Sequence, residues 1–265
     1  GNFDRILREL RQGLGAEPSA PEAKVAGPAV AANTETPSEI PHKSIAVLPF
    51  VDLSPAHDQE YFSDGIAEEI LNALVKLKDL KVAGRTSSFS FKGRNEDLRN
   101  VGRMLAVAHV LEGSVRKHGD RVRITAQLIQ TDNGYHLWSD NFDGDLSDVF
   151  ELQERIARAI ARELDVLLHG EQRLVPVATT DPEAYRLYLQ ASDIFNRRDM
   201  MHMAQVIDLL RKAVVLDPAF ARAHARLAAA YAIQPNYSPE TADTALANVT
   251  AAAQRASALD PALGE

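Results

Sequence analysis

Residues 44–50 read Ser44-Ile45-Ala46-Val47-Leu48-Pro49-Phe50. A short apolar run closed by a proline is the pattern of a strand buried on both faces, the usual state in an α/β sheet. Working outward from it, Phe62, Ile66, Ile70, Ala73, Leu74 and Leu77 recur at helical spacing, which predicts an amphipathic helix lying on that sheet. The run Leu80-Lys81-Val82-Ala83-Gly84 predicts a second strand, followed by a polar stretch, Arg85-Thr86-Ser87-Ser88. A second helix carries Leu98, Val101 and Leu105 inward and Arg94, Arg99 and Arg103 outward.

Beyond that helix the period changes to two. Val122, Ile124, Ala126 and Leu128 alternate with Arg121, Arg123, Thr125 and Gln127, the signature of a strand with one polar face. Gly119-Asp120 predicts a tight turn from a strand over 110–115, and Asn133-Gly134 predicts a hairpin with φ > 0 at both turn positions. A third strand then runs through Leu137 and Trp138. A helix over 147–167 closes the domain, with Glu151/Arg155 and Glu154/Arg158 as i,i+4 pairs on its outer face. The expected layout is β-α-β-α-β-β-β-α, an α/β (α+β) sandwich over residues 43–170.

On the amino-terminal side, Phe3, Ile6, Leu7 and Leu10 share one face of a short predicted helix over 3–13. From Ala16 to Pro41 the sequence is rich in Ala, Pro, Glu, Ser and Thr. Such a composition buries too little to offset the entropy of ordering, so residues 1–42 are expected to be a short helix and a disordered linker. On the carboxy-terminal side only helices are expected. They are punctuated by Asp181-Pro182, Asp217-Pro218 and Asp260-Pro261, at spacings of 36 and 43 residues. Two units in register each end Ala-x-x-Leu-Asp-Pro, with a turn near Arg197-Arg198-Asp199 in the first and an insertion at 234–241 in the second. This predicts an all-α, tetratricopeptide-like segment over 181–265, with two units where three or so are usual for a stable stack. The helices are therefore expected to lean on the α/β domain or on another chain.

The composition narrows the chemistry. A formal charge of −8 argues against a broad nucleic-acid footprint, and the absence of cysteine excludes disulfides, thiolate metal sites and thiol nucleophiles. No phosphate-binding glycine loop, nucleophile elbow or zinc-binding helix motif occurs. The acidic run 140–145 fails the calcium-loop register: Gly144 at loop position six puts Ser139 at position one and Phe150 where a bidentate Glu belongs. It is expected instead to be a polar turn capping the last helix of the domain, through Asp145 or Ser147. No catalytic residue, metal or cofactor is expected.

Two speculative sites remain. Gly65 stands in a helix interior, where glycine costs about 1 kcal/mol against alanine. It needs either close packing or a role, with Asp64, in presenting amides to a ligand. Arg85, Thr86 and Ser87 follow a strand, where ligands of open α/β sheets sit. Asp64, Gly65, Arg85, Thr86 and Ser87 are thus the candidate ligand site, and Tyr188, Ile194 and Tyr231 the candidate partner-binding residues of the helical repeats. Helix-packing roles are the simpler account for Gly65, Ile194 and Tyr231.

The blocks IAVLPFVDLS (45–54), EYFSDGIAEEI (60–70), VAGRTSSFSFKG (82–93), HVLEGSVRKHGDRVRITAQLI (109–129) and GYHLWSDNFDGDLSDVFELQERIA (134–157) resemble the TolB amino-terminal-like (FlgO-like) domain family. That domain is often followed by tetratricopeptide repeats. The resemblance covers residues 44–168. It implies the carboxy-terminal part of a bacterial membrane-tethered regulator, whose other part is a winged-helix DNA-binding domain or a class III nucleotide cyclase. It also implies a periplasmic placement, whereas Arg5, Arg8 and Arg11 would favour the cytoplasmic side under the positive-inside tendency. The expected function is a non-catalytic sensory or protein-interaction module, with envelope or secretion assembly as the alternative and a small-molecule-binding α/β domain as a third reading. Expected partners are a protein or peptide in the repeat groove, or a second copy. No nucleic-acid contact is expected, and membrane contact only through an upstream segment.

Overall fold

The computed structural model describes residues 40–168, 173–234, 242–261 and 263. The expected helix over 3–13 and nearly all of the linker lie outside the described residues, as does most of the expected insertion at 234–241.

The strands β1 (Ser44–Val47), β2 (Val51–Asp52), β3 (Lys81–Val82), β4 (His109–His118), β5 (Arg121–Gln130) and β6 (His136–Asp145) form one sheet. Its order is β3-β1-β4-β5-β6, with β2 also paired to β4. β1 runs parallel to β3 and β4, whereas β4, β5 and β6 form an antiparallel meander. The connections account for the mixture. The helix α1 (Glu60–Val75) crosses between β1 and β3, and α2 (Arg85–Phe89) and α3 (Leu98–Leu105) lie between β3 and β4. Parallel pairing needs such crossovers, while short turns suffice for the meander.

As its apolar run predicts, β1 is buried along its whole length. On one sheet face Leu111, Val115, Ile124, Ala126 and Leu128 pack into the main core with Ile66 and Ile70 of α1 and Ile156 and Ile160 of α4 (Val149–Glu163). On the other face, Ala46 and Val110 join a smaller core with Phe91, Val101 and Val107. Farther along that face no helix among the described residues covers β5. Its alternate residues Arg121 and Arg123 are exposed, and Thr125 and Gln127 are half-buried. The period-two pattern of the sequence therefore reports a sheet covered on one side only.

The polar stretch Arg85-Thr86-Ser87-Ser88 is the start of α2; Gly84, extended before it, lets the chain turn directly from β3 into the helix. Three readings need correction. The acidic run 140–145 lies in β6 rather than in a capping turn. It pairs with β5, where Arg123 meets Asp143 at 2.6 Å and Arg121 meets Asp145 at 3.5 Å, so cross-strand charge matching places acidic residues in a strand. The β5–β6 connection is longer than a two-residue turn. Gly134 alone of the Asn133-Gly134 pair has positive φ, and the loop is closed by Gly134 N–H to Gln130 O at 2.9 Å and Gln130 N–H to Tyr135 O at 2.9 Å. Finally, Glu151 pairs with Arg173 at 3.0 Å while Arg155 lies over the Phe142 ring, so only the Glu154–Arg158 pair forms within α4.

The helices α5 (Pro182–Asn196), α6 (Met203–Leu216), α7 (Ala221–Ile233) and α8 (Ala242–Leu259) complete the described chain. Asp181 caps α5 by accepting from Ala184 N–H at 2.8 Å, with Pro182 in the first turn, the arrangement that proline's missing N–H favours. α5 packs on α6, and α7 on α8. Their apolar faces do not close on themselves: Tyr185, Leu189, Val206, Phe220 and Leu227 belong to the same hydrophobic cluster as the sheet, α1 and α4. Among the described residues no helix is long and apolar enough to cross a membrane.

Candidate functional site

α5 and α7 meet α1 along a polar seam. At its centre Arg222 Nη1 donates to both carboxylate oxygens of Glu69, at 2.6 and 2.7 Å, and only 7% of the Glu69 side chain is exposed. Nearby, Arg85 Nε donates to Glu68 Oε2 at 2.8 Å while its guanidinium covers the Phe89 ring. Asn196 Nδ2 reaches the same Glu68 oxygen at 3.3 Å, and Arg226 donates to Asn196 Oδ1. Toward α4, Gln153 Nε2 donates to the buried Tyr185 hydroxyl at 3.2 Å, and the Tyr185 ring sits 4.7 Å from that of Phe150. Glu154, also buried, accepts from Val175 N–H at 2.7 Å and so ties the connector to α4.

Gly65 has its reason here. A Cβ on Gly65 would lie 2.6 Å from Leu189 Cδ2 and 3.0 Å from Cδ1, so glycine is what lets α5 approach α1. Asp64 is buried beside it, and Lys92 Nζ donates to its Oδ2 at 2.5 Å. Burial pushes the Asp64 carboxyl above the usual carboxylate range, against the opposing pull of Lys92, with Asp193 and Glu60 adding to the rise. A group whose pKa is higher folded than unfolded takes up protons on folding, so stability contributed by it is present at low pH and falls as pH rises through the folded value. Asp64→Asn should therefore reduce the loss of stability as pH rises above the usual carboxylate range. Urea denaturation of both proteins across that rise checks this, and parallel pH profiles would count against it.

The seam encloses a cavity of about 30 Å³, lined by Asp64, Gly65, Tyr188 and Ser192 among others. That is room for roughly two water molecules, far below the few hundred Å³ of a metabolite site. Asp64 Oδ1 and Ser192 Oγ are buried there without a protein partner, as suits groups that hold water. The structure thus brings Asp64, Gly65, Arg85 and Tyr188 together, as parts of an interface rather than a ligand pocket. Thr86 and Ser87 are exposed and stand apart from it. Tyr188 is buried between Tyr185 and Phe220. Tyr231 is buried, with its hydroxyl accepting from Arg211 Nε at 2.7 Å, and Ile194 is partly buried against the core.

Sequence reasoning missed Glu68, Glu69, Asn196 and Arg222. A signal for Glu69 existed: it falls three residues after Ile66 and four before Ala73, on the apolar stripe of α1. A carboxylate in such a stripe asks for a buried partner.

A second concavity lies on the other side of the sheet. Between the pairs Val47–Leu111 and Val51–Ser114, the β1–β2 strand spends one more residue than β4. Pro49 falls in this bulge, where its missing N–H costs no ladder bond. Phe50 turns against Gly113, where a Cβ would come within 2.9 Å of the ring and 2.5 Å of Thr125 O. The bulge forms one wall of a groove of about 660 Å³, with the 91–96 loop and α3 opposite and the uncovered part of β4 and β5 alongside.

Residues 41–159 match the family described as HilA/YgeH-like transcriptional regulator, second domain. A Rhizobium meliloti (strain 1021) protein named "Putative adenylate cyclase 3" is 40% identical over 196 residues, which make up 73% of this chain and 33% of that protein. The chain therefore spans about a third of the length of this relative. Among solved structures, lipoprotein GNA1162 from Neisseria meningitidis is 21% identical with a TM-score of 0.34, covering 39% of this chain and 80% of that one. TolB from Acinetobacter baumannii is 13% identical with a TM-score of 0.34, covering 46% and 28%. The LpoB C-terminal domain from Salmonella enterica is 13% identical with a TM-score of 0.33, covering 41% and 87%. The α/β segment is similar to a regulator domain, and the longer match is to a protein named for signalling chemistry.

Proposed function

We propose that this chain is the non-catalytic sensory and interaction module of a bacterial signalling regulator. One observation carries the reading. Overlapping stretches of this chain match a transcriptional-regulator domain and part of a protein named as a cyclase. A piece shared by proteins named for different outputs is best understood as supplying what they have in common, which is input or assembly. The packed seam suits that role, because a partner held by the helices would act on the sheet without an intervening linker.

The finer parts of the proposal follow from particular residues. The pairs α5–α6 and α7–α8 are read as two tetratricopeptide-type units, since α6 and α8 both end on Ala-x-x-Leu followed by Asp-Pro. The α/β part is read as TolB amino-terminal-like, with the membrane tether and periplasmic placement which that resemblance implies. A peptide in the repeat groove would contact residues other than Tyr188 and Tyr231, whose side chains are committed to the core.

Incubating the chain with ATP and Mg²⁺ or Mn²⁺, and measuring cyclic nucleotide by mass spectrometry, tests the central claim. No product above the no-protein control is expected. Product formation that tracks the folded protein through gel filtration would overturn the reading.

A further inference from the structure

The groove behind the β1–β2 bulge has the size of a binding site and a one-sided charge. About 660 Å³ lies within the range of roughly 300–1,000 Å³ typical of ligand sites. It opens at the carboxyl end of β1, where crevices of parallel sheets collect ligands. Its floor is apolar, formed by Leu48, Phe91 and Leu98. Its walls carry four carboxylates, Asp52, Glu60, Glu96 and Glu112, against two cations, Lys92 and Arg94.

Those cations are already engaged. Lys92 Nζ lies 2.7 Å from Glu60 and 2.5 Å from Asp64, and Arg94 lies over the Phe91 ring. Asp52 accepts from the backbone N–H groups of Ser54 and Gln59, both at 2.8 Å. Burial opposes ionisation of its carboxyl, but hydrogen bonds from the side chain and amide of Ser54 and from the Gln59 amide outweigh it and hold the carboxyl below the usual range, with His57 adding to them. The wall therefore keeps a negative charge at neutral pH. Glu112, half-buried on β4, has no hydrogen-bond or ion-pair partner among the described residues, and it faces the uncovered side of the sheet next to Gln127.

We propose that this groove binds an extended peptide segment of a partner protein, one that carries lysine or arginine beside apolar residues. The cationic head would meet Glu112 and Glu96, and the apolar side chains would lie over Leu48 and Leu98. A partly desolvated carboxylate without a counter-ion gains most from a charge-assisted bond. An extended segment would lie across the face of β4 and β5, held by its side chains, because both strands are already paired on either side. The proposal rests on reading the chain as an interaction module and names the chemistry of its partner.

The test is a fluorescence-anisotropy titration of the full chain with three probes. They are a labelled hexapeptide alternating lysine and valine, its glutamate–valine counterpart, and a labelled 1,5-diaminopentane. The lysine peptide is expected to bind, to weaken with salt, and to outcompete the other two. Glu112→Lys should weaken it about tenfold or more, and Glu112→Gln should weaken it less, with circular dichroism unchanged in both. Four results would overturn the proposal: no binding at about 1 mM peptide, equal binding of the glutamate peptide, binding of the diamine as tight as the peptide, or indifference to both Glu112 variants. Self-association that blocks the peptide would assign the groove to a second copy and overturn it too. A chain that binds no peptide and makes no cyclic nucleotide loses this proposal but keeps the module reading.

Discussion

Arg222→Ala is expected to lower the unfolding free energy of the chain by about 3–5 kcal/mol, the usual cost of leaving one partner of a buried ion pair uncompensated. Arg222 reaches across from α7 to Glu69 on α1, and its side chain is 17% exposed against 7% for Glu69. Removing the guanidinium strands a carboxylate between two packed helices, in surroundings that do not solvate it. The double variant Glu69→Leu/Arg222→Met should recover most of the loss, because a buried pair is often replaceable by apolar residues of similar volume. Urea denaturation of the wild type, the single variant and the double variant decides the point. A single variant within about 0.5 kcal/mol of wild type, the range of ordinary surface substitutions, would mean that the pair is solvated and that the helices dock without it.

Gly65→Val should cost about 1–3 kcal/mol through overpacking, offset by only a few tenths because valine, though β-branched, is a better helix former than glycine. The added atoms would meet Leu189 Cδ2, whose end is itself buried in the core. The diagnostic measurement is a double-mutant cycle with Leu189→Ala. That change alone should cost about 2–5 kcal/mol, but less when Gly65 is already valine, because the new side chain fills the space left by leucine. Strict additivity would show that the two positions do not touch in solution. Both variants act on the seam, so each should also raise the susceptibility of α5 to proteolysis before that of β4 or β5.

The α/β order was legible because local patterns and tertiary burial agree there. β1 is apolar because both of its faces are covered, and β5 alternates because one is not. The misreadings fall where a partner distant in sequence decides the local state. Asp140 to Asp145 reads as a turn until Arg121 and Arg123 are placed opposite it, and Glu151 finds Arg173 rather than its helical neighbour. Of the residues singled out for a ligand, Asp64, Gly65 and Arg85 do share a site, but the carboxy-terminal helices cover it. Glu69 on the apolar stripe of α1 signals a buried partner, but the spacing of residues 60–90 does not say which helix supplies it.

By itself the sequence determined most of the elements, their alternation of strands and helices, and the helical character beyond residue 181. Periodicity, proline and glycine act within a few residues, and that range is enough to set them. Only the tertiary structure decided that Glu69 belongs to Arg222 and Gly65 to Leu189, and that a groove opens where Pro49 breaks the strand. Those pairings join residues more than a hundred positions apart. Their energies come from desolvation and close contact, which exist only once the helices have packed on the sheet.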